Sequence, residues 1–163
     1  MNSFKGYPPS VQVLQPIPEI FVAVNSDKEE IRNNIKSSVS LGLPQVKPFE
    51  TQWGKEICLV TGGPSLKDTF HIVRERYEDG VPIVTVNGTY QYCLDNGIIP
   101  NAFIMLDSRE FNKRFIKTPV DTCKYLMASQ CHPEVFKMLS GRNVWLWHCD
   151  TQEENIDLLK DQY

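Results

Sequence analysis

Several features that would assign this 163-residue chain to a specialised class are missing from its sequence. No apolar run approaches the ~18 residues that a membrane-spanning helix needs, so the sequence predicts no membrane segment. Basic residues are not in excess: 17 Lys and Arg stand against 20 Asp and Glu, which argues against a dedicated nucleic-acid surface. The first ten residues, MNSFKGYPPS, lack a charged start followed by an apolar stretch, so no signal peptide is expected.

The five cysteines show no regular spacing and no CxxC pair. An odd number without a pattern is typical of free thiols in a reducing compartment, and the sequence therefore predicts a cytoplasmic protein. His132 and His148 each adjoin a cysteine, but their spacing matches no zinc finger or ribbon, and we expect no structural zinc.

What is present is an ordinary globular composition, with 41% hydrophobic and 23% charged residues. The chain starts with a proline-rich arm, because residues 1–20 contain four prolines, which favour extended and irregular backbone. Residues 19–24 have the pattern of a short strand. We divide the chain into residues 1–50, the arm and one helix, and residues 51–163, an α/β domain.

The helix in the first part is predicted from a capping sequence, Ser26-Asp27-Lys28-Glu29, followed by apolar residues at helical spacing. Gly42 and Pro44 are expected to end it.

From residue 56 onward, short apolar runs alternate with helical patterns. The predicted strands are 56–62, 82–87, 101–107, 124–130 and 143–149, and the predicted helices between them include 66–80, 89–97 and 133–141. Near-continuously apolar strands that alternate with helices indicate βαβ units and a buried parallel sheet. The fold class that follows is α/β: a Rossmann-like three-layer sandwich with a mostly parallel sheet.

Small or polar residues follow each predicted strand, whereas the strand interiors are apolar. Ligands of open parallel sheets bind outside the carboxyl ends of the strands. The sequence therefore predicts a functional edge at these strand ends.

The sharpest local motif is Gly62-Gly63-Pro64-Ser65-Leu66, between the first core strand and its helix. Glycines permit positive φ and close approach of a ligand to the backbone, and a helix N-terminus suits a phosphate. The motif is neither GxGxxG nor GxxxxGK[ST], so the standard dinucleotide and P-loop sites are not indicated. A plain strand-to-helix turn, with Ser65 as a local cap, explains the same residues.

This turn, together with VNGTYQYCLDNGIIPNAFIMLD (86–107), resembles the MptE-like 6-hydroxymethylpterin diphosphokinase family, which includes many bacterial and phage proteins. Gly62–Leu66 match the family's GxGPSL turn, Gly97, Ile98 and Pro100 match a later GI-P phrase, and Asp107 matches a strand-terminal acid. Asn101 stands where the family usually has Asp.

The resemblance implies a nucleotide-dependent transferase, with a small-molecule nucleotide as its partner. Gly62, Gly63, Pro64, Ser65 and Leu66 would hold the phosphates, Asn87 the nucleoside, and Asp107 a Mg²⁺ ion or ribose. The turn is also similar to one in bacterial sialyltransferases and flagellin-modifying glycosyltransferases, so transfer from a nucleotide sugar is an alternative. A third is a non-catalytic binding or scaffold module.

Two further residues have alternative roles. Asp107 precedes Ser108-Arg109-Glu110 and is equally typical of a helix N-cap. His148, or His132, would act as a general base for sugar transfer, and is otherwise a half-buried structural histidine.

The chain stops at Tyr163, before a further glycine-rich segment of larger relatives, so it is expected to be either a minimal version or a fragment. An odd number of thiols and an exposed edge after the last strand are compatible with a homo-oligomer.

Overall fold

The computed structural model of the protein describes residues 26–47, 56–149 and 155–159. The expected proline-rich arm and the strand at 19–24 lie outside these ranges. The elements in chain order are α1 (Lys28–Val39), β1 (Cys58–Val60), α2 (Leu66–Glu78), β2 (Ile83–Val86), α3 (Thr89–Asp95), β3 (Ala102–Met105), a 3₁₀ helix (Glu110–Phe115), β4 (Lys124–Ala128), α4 (Pro133–Met138), β5 (Val144–Trp147) and α5 (Ile156–Leu159).

The five strands form one sheet in the order β1-β2-β3-β4-β5, and all four pairings are parallel. The prediction of a Rossmann-like α/β fold with a parallel sheet is confirmed. Each observed strand lies within its predicted run but is shorter, as in β1, which keeps three residues of the predicted 56–62. The apolar runs overestimate the strands because they include flanking residues that do not pair.

One face of the sheet carries the core. Its side chains pack with residues of α2, α3 and α4, and the largest fully buried ones on the strands are Ile83, Phe103, Met105, Tyr125, Met127 and Leu146. Each such side chain contributes roughly 1.5–3 kcal/mol by burial. When strand order follows chain order, right-handed crossovers bring successive helices to the same face. On the other face Leu59, in β1, is 53% exposed.

The N-terminus of α1 is capped by Asp27 rather than by Ser26, at which the predicted capping sequence began. The Asp27 carboxylate accepts hydrogen bonds from the N–H groups of Glu29 (2.8 Å) and Glu30 (3.1 Å). A carboxylate also interacts favourably with the helix dipole, so the helix begins one residue later than the motif suggested. Ser26 instead accepts a hydrogen bond from the Ser108 hydroxyl (2.7 Å).

Two buried polar residues of α1 fasten it across the carboxyl ends of β3 and β4. The Asn34 amide donates to the carbonyl oxygens of Ser108 and Gln130, each at 3.1 Å. The Ser38 hydroxyl donates to the carbonyl oxygen of Ser129 at 2.7 Å. Helix α1 therefore closes this part of the sheet edge and satisfies its backbone acceptors.

The lateral edge of β5 is also covered, which corrects the expectation of an exposed edge after the last strand. Val46 donates its N–H to the Leu146 carbonyl at 2.7 Å, and Leu146 donates to the Pro44 carbonyl at 2.8 Å. The segment after α1 thus adds a short parallel bridge at Gln45. No strand pattern is present there because the segment is short and contains Pro44 and Pro48.

Within the described ranges, no helix has both the length and the apolar character needed to cross a bilayer. All five cysteines are free thiols. Burial raises the pKa of Cys93 and of Cys123 to about 12, so both remain protonated core residues at neutral pH.

Candidate functional site

The turn between β1 and α2 presents backbone donors to solvent. Residues 61–65 are exposed. A hydrogen bond from the Leu66 N–H to the Gly63 carbonyl (3.1 Å) closes the turn, and α2 begins at Leu66. Among the described residues, no group accepts a hydrogen bond from the N–H of Gly63 or Ser65. Unpaired donors at a helix N-terminus are suited to an anion.

The two glycines of this turn are not required by the fold. Neither has positive φ, so that part of the expectation was wrong. A Cβ on Gly62 would lie 3.9 Å from the Thr89 methyl carbon, and one on Gly63 would lie 4.0 Å from the Ser65 hydroxyl, both ordinary contacts. The side chain of Ser65 makes no capping hydrogen bond. Neither the backbone conformation nor crowding by neighbouring atoms therefore accounts for glycine at these two positions.

Asn87 lies at the carboxyl end of the neighbouring strand, β2. Its φ of 52° is in the left-handed region, and it is the one non-glycine residue with positive φ in the described ranges. Its side-chain oxygen Oδ1 is buried and has no hydrogen-bond partner among the described residues. Backbone strain and an unsatisfied buried polar atom at one residue are typical of functional positions.

Thr89 holds the turn and Asn87 next to each other. Its hydroxyl lies 2.8 Å from the carbonyl oxygens of both Val60 and Val86 and shares its proton between them. It therefore ties the ends of β1 and β2 together. The methyl group of the same side chain is the nearest atom to the Cβ position of Gly62. The structure therefore brings the predicted phosphate turn and Asn87 to adjacent strand ends.

Asp107, at the end of β3, is engaged by Arg109. The guanidinium holds the carboxylate with both Nε, which is 2.9 Å from Oδ1, and Nη2, and the Arg109 N–H donates to Oδ1 at 3.0 Å. These hydrogen bonds from Arg109 lower the pKa of Asp107 despite its partial burial. The predicted N-cap role is not observed, because the residue that precedes the 3₁₀ helix is Arg109.

Asp107 is not part of a cluster of metal-ligating side chains in the described residues. Its carboxylate is already neutralised by Arg109, and no group of three His, Cys, Asp or Glu side chains occurs together in the described ranges. The predicted role of Asp107 at a metal or ribose stays a prediction.

Neither candidate histidine lies beside the glycine turn. His148 follows β5, three strand spacings or roughly 14 Å from β2. Its Nε2 is 2.7 Å from the Gln45 side-chain oxygen, and burial lowers the pKa of His148. His132 caps α4, where its Nδ1 accepts a hydrogen bond from the Glu134 N–H at 3.2 Å.

Comparison with known proteins gives the family. A sequence model described as 6-hydroxymethylpterin diphosphokinase MptE-like matches residues 29–163. The chain belongs to the MptE-like family. No curated protein matches this MptE-like chain by sequence search.

Among solved structures, the chain is similar to the MAf glycosyltransferase from Magnetospirillum magneticum AMB-1, with a TM-score of 0.55 and 14% identity. The likeness covers 78% of this chain and 21% of the glycosyltransferase, so the MptE-like chain spans about a fifth of that protein. At this identity the likeness shows the fold. The description of the family, a diphosphokinase, supports a transferase-like role.

Part of the motif shared with the MptE-like family is structural. Gly97 has a φ of 75° after the end of α3, and Ile98 is fully buried. The Asn101 side-chain oxygen accepts a hydrogen bond from the Ile83 N–H at 2.8 Å, at the amino-terminal end of β2. The difference from the usual Asp therefore lies at the edge of the sheet opposite to the glycine turn.

A cleft that the sequence motifs do not indicate lies between α3 and the 3₁₀ helix. This cleft has a volume of about 370 Å³ and is lined by Gly88, Gln91, Tyr92, Asp95, Arg114, Phe115 and Lys117. The available signal was the run of basic and aromatic residues at 109–115, REFNKRF, directly after a strand end.

Proposed function

We propose that this MptE-like protein is a nucleotide-dependent transferase that moves a diphosphoryl group from ATP to an acceptor hydroxyl. The observation that supports it is the pairing, at adjacent strand ends, of an exposed turn with unpaired N–H groups and the buried, unpaired Oδ1 of Asn87. Donors on one side and an acceptor on the other correspond to the two chemically different parts of a nucleotide.

The turn would bind the phosphates. The N–H groups of Gly63 and Ser65 donate to phosphate oxygens, and the N-terminal end of α2 adds the favourable helix dipole. Gly62 and Gly63 leave the backbone uncovered, so the phosphate can approach it. Asn87 Oδ1 would accept a hydrogen bond from an amino or hydroxyl group of the nucleoside.

In the transfer step, the acceptor hydroxyl oxygen forms a bond to the β-phosphorus. The bond between that phosphorus and the oxygen bridging to the α-phosphate breaks, AMP leaves, and the hydroxyl proton passes to solvent. Such a reaction depends on positioning and charge stabilisation rather than on a covalent protein nucleophile. The positions of His132 and His148, away from the turn, agree with this and count against the alternative of sugar transfer with either as general base.

Thermal shift with a panel of nucleotides tests the proposal. ATP, CMP, UDP and a CMP-sugar are each added with and without Mg²⁺. A ligand at 100 times its Kd adds about 2.7 kcal/mol, which for a chain of this size raises Tm by roughly 5–11 °C. We expect that rise with ATP.

The matched variants are Gly63→Ala and Gly63→Val. Because a Cβ at this exposed position meets only an ordinary contact, we expect both to fold with an unfolding free energy within about 1 kcal/mol of the wild type. We expect the shift with ATP to decrease in Gly63→Ala and to disappear in Gly63→Val.

Three outcomes would contradict the proposal. A rise with CMP or UDP but not ATP would favour sugar transfer. No rise with any nucleotide would favour the non-catalytic module. A rise in Tm with ATP that is as large in Gly63→Val as in the wild type would show that the turn does not bind the nucleotide.

A further inference from the structure

The cleft between α3 and the 3₁₀ helix adjoins the candidate nucleotide site, because Gly88, which lines it, directly follows Asn87. The wall is tight at this point: a Cβ on Gly88 would lie 3.2 Å from the ring of Phe115. A molecule in the cleft would therefore sit beside the residue that we propose to hold the nucleoside.

Two cations of the cleft have no carboxylate partner in the described part of the chain. Neither Arg114 nor Lys117 forms an ion pair there, in contrast to the neighbouring Arg109 and Lys113. The Arg114 guanidinium lies over the rings of Phe111 (4.8 Å) and Phe115 (4.9 Å). These two cation–π contacts restrain the guanidinium, and none of its N–H donors is bound to a carboxylate of the described residues.

One residue that lines the cleft, Gln91, has an unpaired acceptor. The Gln91 side-chain nitrogen donates to the Asp95 carboxylate at 2.8 Å, which orients the amide. Its oxygen, Oε1, is buried and has no hydrogen-bond partner among the described residues. A buried amide oxygen without a partner costs stability, and a donor supplied by a ligand would satisfy it.

We propose that this cleft binds a phosphate group of a substrate, with Arg114 and Lys117 as the anion ligands and Gln91 accepting a hydrogen bond from a hydroxyl or amino group of the same molecule. A planar, charged fork suits the oxygens of a phosphate, and the lysine adds a second positive charge. The phosphate belongs either to the acceptor or to the terminal part of the nucleotide. This inference rests on the proposed function for its place beside the nucleotide, but phosphate binding itself can be measured without one.

The test is a titration of the ¹⁵N-labelled chain with inorganic phosphate, followed by NMR. We expect saturable shifts of the Arg114 Nε–H and Gln91 side-chain signals. The double variant Arg114→Gln/Lys117→Gln should weaken phosphate binding at least tenfold. Lys36→Gln, which removes an exposed charge from α1, is the control and should leave the Kd unchanged.

A nearly isosteric variant, Gln91→Glu, places a negative charge in the cleft and should also weaken phosphate binding. The proposal is overturned if phosphate shifts neither signal, or if the double variant binds phosphate as tightly as Lys36→Gln. The phosphate titration contains no nucleotide, so it can be interpreted even if no nucleotide raises Tm. Gly63→Val should not change the Kd for phosphate.

The source of the phosphate is decided by comparing the affinities for ATP and AMP. If the preference for ATP over AMP, expressed as the ratio of their affinities, falls at least tenfold in the double variant, the cleft holds the terminal phosphates of the nucleotide. If this preference is unchanged while the double variant no longer binds inorganic phosphate, the cleft binds the phosphate of the acceptor.

Discussion

The two halves of the sheet's carboxyl edge treat their polar groups differently. Around β3 and β4, the carbonyl oxygens of Ser108, Ser129 and Gln130 accept hydrogen bonds from the buried side chains of α1. Around β1 and β2, the turn is exposed and Asn87 Oδ1 has no partner among the described residues. Buried polar groups in proteins are nearly always paired, so the unpaired Oδ1 of Asn87 beside the exposed turn favours a ligand site there.

The comparison shows that polar residues after a strand do not by themselves mark a site. Gln130 and Ser108 follow their strands just as Asn87 does, but a neighbouring helix already satisfies their backbone. In the open half the Asn87 carbonyl is paired with the Tyr90 N–H, and the atom without a partner among the described residues is the side-chain oxygen of Asn87. This difference can be tested from either side, by opening the closed half or by altering the open one.

The largest expected effect comes from opening the closed half with Asn34→Ala. This removes both hydrogen bonds of a residue that is 4% exposed, and the buried carbonyl of Ser108 and the partly buried carbonyl of Gln130 lose their donor. We expect the free energy of unfolding to fall by about 2–4 kcal/mol, as measured by urea denaturation. Nucleotide binding in the open half should persist wherever the variant is folded.

The control is Asn33→Ala, one residue earlier and exposed on the same helix. It should change the unfolding free energy by less than about 0.5 kcal/mol. Equal stability of the two alanine variants would show that α1 does not secure this edge.

Altering the open half at Asn87 should separate stability from binding. Asn87→Ala keeps the left-handed backbone but loses the residue type that tolerates it, which should lower the unfolding free energy by about 1 kcal/mol. Asn87→Gly relieves the strain and should leave stability equal or slightly higher. Both should lose affinity for the nucleotide, as measured by calorimetric titration. If Asn87→Gly binds the nucleotide with the affinity of the wild type, the Asn87 amide does not contact the nucleotide.

The smallest expected effect is a pH dependence in the closed half, at His148. Burial lowers the pKa of His148 in the folded state below its value in the unfolded chain. Above the unfolded pKa, near 6.5, both states are neutral and stability is complete. As pH falls below that value, the unfolded state takes up the proton first, so the unfolding free energy decreases.

Urea denaturation at pH 7, 6 and 5 measures this dependence. His148→Gln should reduce the decrease, whereas His71→Gln, at an exposed position of α2, should not. The pH range of this experiment lies above the range in which Asp107, whose pKa is lowered, takes up a proton. An identical decrease in wild type and His148→Gln would contradict the assignment.

The sequence predicted the strands, the helices between them and the glycine turn, because period and composition act locally. Asn87 was predicted as a strand-end residue, but its left-handed backbone was not, although Asn-Gly is a known turn signal. The role of α1 was missed because it depends on contacts distant in sequence. A usable clue was that Asn34 and Ser38 lie on the same helical face as Ile31 and Ile35, where an apolar residue is the usual choice.

The hydrogen bonds of α1 also bear on the order in which the protein folds. They join residues 74 to 96 positions apart, whereas each strand of the sheet pairs with the next one along the chain. Contacts between near neighbours close short loops and form sooner than distant ones. We therefore expect β1 and β2 to gain amide protection before α1 in pulse-labelled hydrogen exchange during refolding. Helix α1 precedes the strands in the chain but would dock after them, so the open half would be assembled before its closed neighbour.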